Sequence, residues 1–184
     1  MRLQELKRLN STFQHSSIAM LLLLLVALLP ACVNDDNEDE GNTTLVNVGD
    51  VVPEFMLSGS DGTDIRSSAL NGQVYVLNFF DTGCPDCQRE LQVLQRIYDK
   101  YRETVLVLNV PRSQTREEIE AYWNQAGFSM PYYIPSDKRL YYRFATRTIP
   151  RTYVVDGNGI VVAAFTDSPT ADYETLDGLL QLVK

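Results

Sequence analysis

The stretch Gln73–Phe80, QVYVLNFF, constrains the fold more than any other part of the chain. It is an almost unbroken apolar and β-branched run. A strand with one wet face alternates apolar with polar residues, whereas a strand without alternation is buried on both faces. The chain therefore contains a central strand with cover above and below. Pro85 follows where the first turn of a helix accepts proline. From there Leu91, Leu94, Ile97, Tyr98 and Tyr101 recur at helical spacing. Thr104–Val110, TVLVLNV, reads as a second buried strand.

The remaining elements arrange themselves around this pair. Phe55–Arg66, FMLSGSDGTDIR, reads as a hairpin turning at Ser60-Asp61-Gly62. Thr115–Ala126 reads as a helix that Thr115 caps, Glu118 completes as a capping box, and Gly127 ends. Lys138–Ala145 predicts a short helix. Arg151–Asp156 and Ile160–Phe165 predict strands joined by Gly157-Asn158-Gly159, and Asp172–Lys184 predicts a closing helix. The order β-hairpin, β, α, β, α, β-β-α predicts an α/β fold, a mixed central sheet with helices on both faces. Tyr132, Tyr133, Tyr141 and Tyr142 read as partly core rather than as a substrate groove.

The chain has 184 residues, enough for one domain with a real core. Its net charge of −8 argues against nucleic acid as a partner, because phosphate binding needs a basic surface. The N-terminus is set apart. Arg2, Lys7 and Arg8 precede Ile18–Leu29, an apolar run of twelve. That is short of the ~20 residues of a membrane span and suits the apolar region of a signal peptide. The run ends in LPAC, which resembles the lipobox of bacterial lipoproteins. The resemblance implies cleavage before Cys32 and lipidation of its sulfur. An uncleaved anchor with an incidental cysteine is the alternative, and both tie the domain to a membrane outside the cytoplasm. The expected organisation is signal peptide 1–31, acidic tether 32–44 and folded domain 45–184. The tether, VNDDNEDEGNTT, resembles the surface-export signal of lipoproteins in one group of Gram-negative bacteria, and a plain spacer is equally consistent with it. The expected location is the cell envelope, on the periplasmic side of a membrane or at the cell surface.

Cleavage leaves thirteen of the sixteen basic and twenty-three of the twenty-four acidic residues, a net charge of −10. It also removes His15, the only histidine. Without histidine, Ser-His and Cys-His catalysis and His-ligated metal centres are excluded.

Two of the three cysteines stand in CPDC, Cys84 and Cys87, between the first buried strand and the helix. This places Cys84 at a helix N-terminus, where unpaired N–H groups and the helix dipole favour an anion. A thiolate is the attacking species in disulfide exchange. Cys84 would attack and Cys87, one turn on, would resolve the mixed disulfide. A structural zinc site lacks ligands, so no metal is expected. A purely structural disulfide would close too small a loop to restrain the unfolded chain much. Two inert core cysteines fit poorly with Pro85 and Asp86 between them.

NFFDTGCPDCQREL resembles the active-site segment of the TlpA/ResA-like branch of the thioredoxin superfamily, usually NFWATWCPPC or close to it. Asn78, Phe79, Cys84, Pro85 and Cys87 match, and Gly83 replaces the tryptophan. TIPRTYVVDGNGIVV resembles the loop in which a cis-proline, here Pro150, faces the CxxC. The resemblance spans residues 45–184. It implies a thioredoxin-like three-layer sandwich with an N-terminal β-hairpin extension and a thiol–disulfide oxidoreductase working without a cofactor. A cis-Pro150 would present the backbone of Ile149 to the substrate, with Pro85 contacting it on the other side. Glu90, three residues after Cys87 on the same helical face, is the expected proton carrier. The ResA-like proteins have glutamate there, and Asn78 stands where many thioredoxins have a buried aspartate. Asp86 places negative charge beside the sulfurs and predicts a reducing couple, nearer thioredoxin's about −270 mV than the about −120 mV of DsbA. The implied partners are disulfide-containing exported proteins, an upstream thiol reductant, and the membrane through Cys32. Two alternatives remain. One is a thiol peroxidase, whose Pro-x-x-x-Thr-x-x-Cys pattern meets Leu77 and Asp81 in register with Cys84 and fails at both. The other is a non-catalytic thioredoxin-like binding or metallochaperone module.

Overall fold

Residues 44–184 are described by the computed structural model of the protein. The expected signal peptide, Cys32 and the expected tether up to residue 43 lie outside the described residues. Among the described residues, Thr44 bridges Ala145, and Leu45 N–H donates to the Phe144 carbonyl at 2.8 Å.

The central strand is β3, Tyr75–Phe80, buried at every position. It runs parallel to β4 (Leu106–Pro111) and antiparallel to β6 (Arg151–Val155), which pairs with β7 (Val161–Phe165). The four-stranded sheet has the order β4-β3-β6-β7. Side chains of β3 alternate between faces. Tyr75, Leu77 and Phe79 enter one cluster and Val76 and Phe80 the other.

The helical cover differs between the two faces. Helix α1 (Pro85–Tyr101), α2 (Arg116–Ala126) and α3 (Tyr173–Val183) all place their buried apolar residues in one cluster with Val76, Phe80 and Val154. Leu91, Leu94 and Ile97 of α1 are fully buried there, each contributing roughly 1.5–3 kcal/mol by transfer out of water. The opposite face is covered by a 3-10 turn at Leu140–Arg143 and by Val46, Phe55 and Leu57. The short helix expected at Lys138–Ala145 is this single 3-10 turn. It has no side-chain cap, and the chain leaves it at Ala145 to bridge Thr44.

The N-terminal extension is the hairpin β1 (Met56–Gly59) and β2 (Asp64–Arg66). Asp61 Oδ1 accepts the Thr63 N–H at 3.0 Å and closes its turn. A third strand, β5 (Tyr133–Pro135), joins β1 antiparallel, and a parallel bridge from Tyr132 to Asn109 links it to β4. Sequence reasoning missed β5, because PYYIP is short, has proline at both ends and shows no periodicity. Three of the four tyrosines, Tyr132, Tyr133 and Tyr141, are buried, and Tyr142 is half exposed. None of the described helices is long and apolar enough to cross a membrane.

Candidate active site

The site forms where β3 delivers the chain into α1. Asp81 starts a tight turn, accepting the Cys84 N–H on its carbonyl at 3.1 Å and the Gly83 N–H on Oδ1 at 2.8 Å. A side chain at 83 would bring its Cβ to 3.3 Å from that carboxylate, a close contact to which the Asp81 side chain would have to yield. Cys84 is the N-cap residue of α1, and its sulfur accepts the Cys87 N–H at 3.3 Å. The sulfur takes the place of the usual oxygen cap and sits at the positive end of the helix dipole. Pro85 at N1 lacks an N–H that would have had no partner in the helix, and it stands exposed at the mouth of the site.

The second wall is the loop Arg147–Pro150. The Ile149–Pro150 bond is cis, and the Ile149 carbonyl lies 3.8 Å from Cys84 Sγ. This loop is tied down from three sides. Tyr141 OH donates to the Thr148 carbonyl at 2.7 Å. The buried Arg151 donates to the same carbonyl at 3.1 Å and to Thr148 Oγ1 at 2.9 Å. Arg112 donates to the Arg147 carbonyl at 3.0 Å. Arg151 and Tyr141 were not recognised in the sequence as anchors. Tyr141 reads as partly core and Arg151 only as the first residue of a strand, and only the chain's return to β3 reveals the role.

Cys87 lies behind Cys84 and is completely buried. The two sulfurs are unbonded. Burial pushes the Cys87 thiol far above its ordinary range, and the Cys84 sulfur and the charge of Glu90 add to the effect. Glu90 is 2% exposed. Burial raises its carboxyl from 4.5 to about 7, while the Thr152 hydroxyl and the Ala171 backbone pull it back down. Asn78 Nδ2 donates to Thr152 Oγ1 at 2.8 Å and, at 3.4 Å, to Glu90 Oε1. The single Thr152 hydroxyl hydrogen then points to Glu90 Oε1. Glu90 Oε2 has no partner of hydrogen-bonding geometry. Thr152 carried no signal in the sequence, because it reaches Glu90 only through the pairing of Asn78 with Thr152 across β3 and β6.

Asp86 is not the bare charge expected from the sequence. It is half-buried and paired with Arg89 one turn on, which offsets its field at the sulfurs. The structure brings together Cys84, Cys87, Glu90, Ile149 and Pro150, with Pro85 at the rim. A buried thiol, a carboxyl titrating near neutrality and a capping sulfur beside an open carbonyl can together exchange a disulfide and move the proton this requires.

Residues 48–164 match the model of the AhpC/TSA family. The chain is 28% identical over 154 residues to the thiol-disulfide oxidoreductase ResA of Geobacillus thermodenitrificans, covering 83% of this chain and 87% of that one. Among solved structures it is similar to a thio-disulfide isomerase from Thermus thermophilus, with 27% identity and a TM-score of 0.61 over 75% of this chain and 97% of the other. It shares its fold with the pneumococcal exposed lipoprotein thioredoxin of Streptococcus pneumoniae, with 22% identity and a TM-score of 0.57 over 71% and 98% of the two chains. The chain belongs to the AhpC/TSA family, and within that thioredoxin-fold family it is a thiol–disulfide oxidoreductase of the ResA/TlpA-like kind.

Proposed function

We propose that this oxidoreductase is anchored to a membrane of the cell envelope through lipidated Cys32 and reduces disulfides of exported proteins. Cys84, as thiolate, attacks one sulfur of the client disulfide. The client S–S bond breaks, its departing sulfur takes a proton, and a mixed disulfide joins Cys84 to the other client sulfur. Glu90 accepts the proton of Cys87. The Cys87 thiolate then attacks Cys84 Sγ and releases the second client thiol. The client gains two electrons and the CPDC pair becomes a disulfide, which an upstream thiol reductant returns to the dithiol. Ile149 offers its backbone carbonyl to the client strand, Pro150 holds that backbone toward Cys84, and Pro85 meets the client from the helix side.

The observation that carries this reading is the capping position of Cys84 Sγ, 3.8 Å from the Ile149 carbonyl, with buried Cys87 behind it. The lipobox-like LPAC and the exposed lipoprotein among the structural relatives support the anchored location. Insulin reduction tests the activity. Cys84→Ser is expected to abolish turnover, and turnover that persists in that variant defeats the role given to Cys84. Cys87→Ser is expected to accumulate mixed disulfides with client proteins in the native host, which identifies them.

A further inference from the structure

A pocket of about 240 Å3 opens at the end of β4, lined by Arg112, Gln114, Arg116, Ile134 and Lys138 among others. Every charged residue lining it is a cation, namely Arg112, Arg116 and Lys138. None of the three is ion-paired with a carboxylate among the described residues. Of the carboxylates beside them in the chain, Glu117 does not line the pocket and two others are engaged elsewhere. Glu118 accepts the Thr115 N–H at 2.8 Å, and Asp137 pairs with Arg143. Arg112 and Arg116 are half-buried and lean on rings, 5.3 Å from the Tyr141 centroid and 5.8 Å from that of Tyr132. Three cations converging on one concavity run against the trend of a chain whose net charge is −8.

The pocket is fastened to both walls of the reactive site. Gln114 accepts the Thr82 N–H at 2.7 Å and donates to Thr82 Oγ1 at 2.6 Å, two residues before Cys84. Arg112 donates to the Arg147 carbonyl at 3.0 Å, two residues before Ile149, whose carbonyl faces Cys84 Sγ. These bonds connect the lining of the pocket to the two segments that flank Cys84 Sγ, so a partner protein docked at Cys84 can extend a neighbouring segment toward it. Guanidinium and ammonium groups select a carboxylate, and Ile134 and Pro135 supply an apolar wall for the methylene stem that carries it.

We infer that this pocket takes an Asp or Glu carboxylate from an acidic segment flanking the reactive disulfide of the partner protein. The inference rests on the oxidoreductase reading above and adds the chemistry of the partner. The acidic remainder of the molecule repels such a segment, so attraction confined to this pocket orients it onto Cys84.

The test uses the reduced full chain and two cystine peptides that differ only in their flanks, three Glu in one and three Gln in the other. The second-order rate of disulfide exchange is measured for each. At low ionic strength the Glu peptide is expected to react about tenfold faster, and the ratio is expected to shrink toward one at high salt. In the double variant Arg116→Gln, Lys138→Gln the ratio is expected to fall to about one. A ratio cancels any general loss of activity from the substitutions. Equal or inverted rates in the unaltered chain, or a preference that survives the double substitution, overturn the docking inference and leave the oxidoreductase reading standing. Failure of both peptides to exchange overturns that reading as well.

Discussion

Glu90 carries a carboxyl into an interior where Thr152, Asn78, Cys87 and the Ala171 backbone are what face it. Its carboxyl titrates at about 7 in the folded chain against an ordinary 4.5. Between those values the folded state binds more protons than the unfolded one, so stability falls as pH rises through that window and levels off above it. The loss is on the order of 3 kcal/mol. Glu90→Gln removes the titration. It is expected to match the unaltered chain near pH 4.5 and to be more stable above pH 7, as measured by urea denaturation at several pH values. The same substitution is expected to slow resolution of the mixed disulfide by about 10²-fold and to remove its rise through about pH 7. Alkylation trapping in single-turnover reactions reads both effects. Thr152→Val takes away the hydrogen bond that lowers the Glu90 carboxyl. It is expected to move the inflection of that pH profile upward, whereas an unmoved inflection shows Thr152 to be structural only. Glu90 was legible in the sequence because i, i+3 spacing on a helix is local. Its partner Thr152 is 62 residues away and was not legible.

At the scale of elements, α1 and α2 were readable because their signals are written in adjacent residues. Pro85 opens α1 at N1. Thr115 and Glu118 form both hydrogen bonds of the capping box, and Gly127 ends α2 at φ 70. Thr115→Ala is expected to cost about 1 kcal/mol. Leu94→Ala, at a fully buried position of α1, is expected to cost about 2–5 kcal/mol through lost transfer energy and the cavity left behind. Urea midpoints at constant m-value distinguish the two. The strand β5 has no comparable local signature. Its three residues are extended because β1 presents a free edge to them, with Gly59 opposite Tyr133 and Leu57 opposite Pro135. Likewise the Lys138–Ala145 segment stops after one 3-10 turn, because its end is drawn into pairing with Thr44.

Across the whole molecule, the redox poise follows from where the fold puts Cys87. A thiol whose ionised form is destabilised by burial makes the disulfide the favoured partner of the couple, so the protein is expected to be a reductant. A redox titration against glutathione should place its potential below about −180 mV, and a higher value contradicts the reducing role. Anchoring is a separate expectation. Cys32→Ser is expected to move the protein from the membrane fraction to the soluble fraction, while retention on the membrane contradicts lipidation at that cysteine. The sequence by itself determined the doubly buried β3, the helix that Cys84 caps, and the chemistry open to a dithiol where residues 44–184 hold no histidine, because each depends on neighbouring residues or on composition. The tertiary structure decided that Arg89 offsets Asp86, that Thr152 and Asn78 face Glu90, that Arg151 anchors the Ile149 loop, and that Arg112, Arg116 and Lys138 line one pocket. Those depend on which strands pair and which loops meet, and the free energies that select such long-range contacts belong to the assembled core rather than to any one stretch of chain.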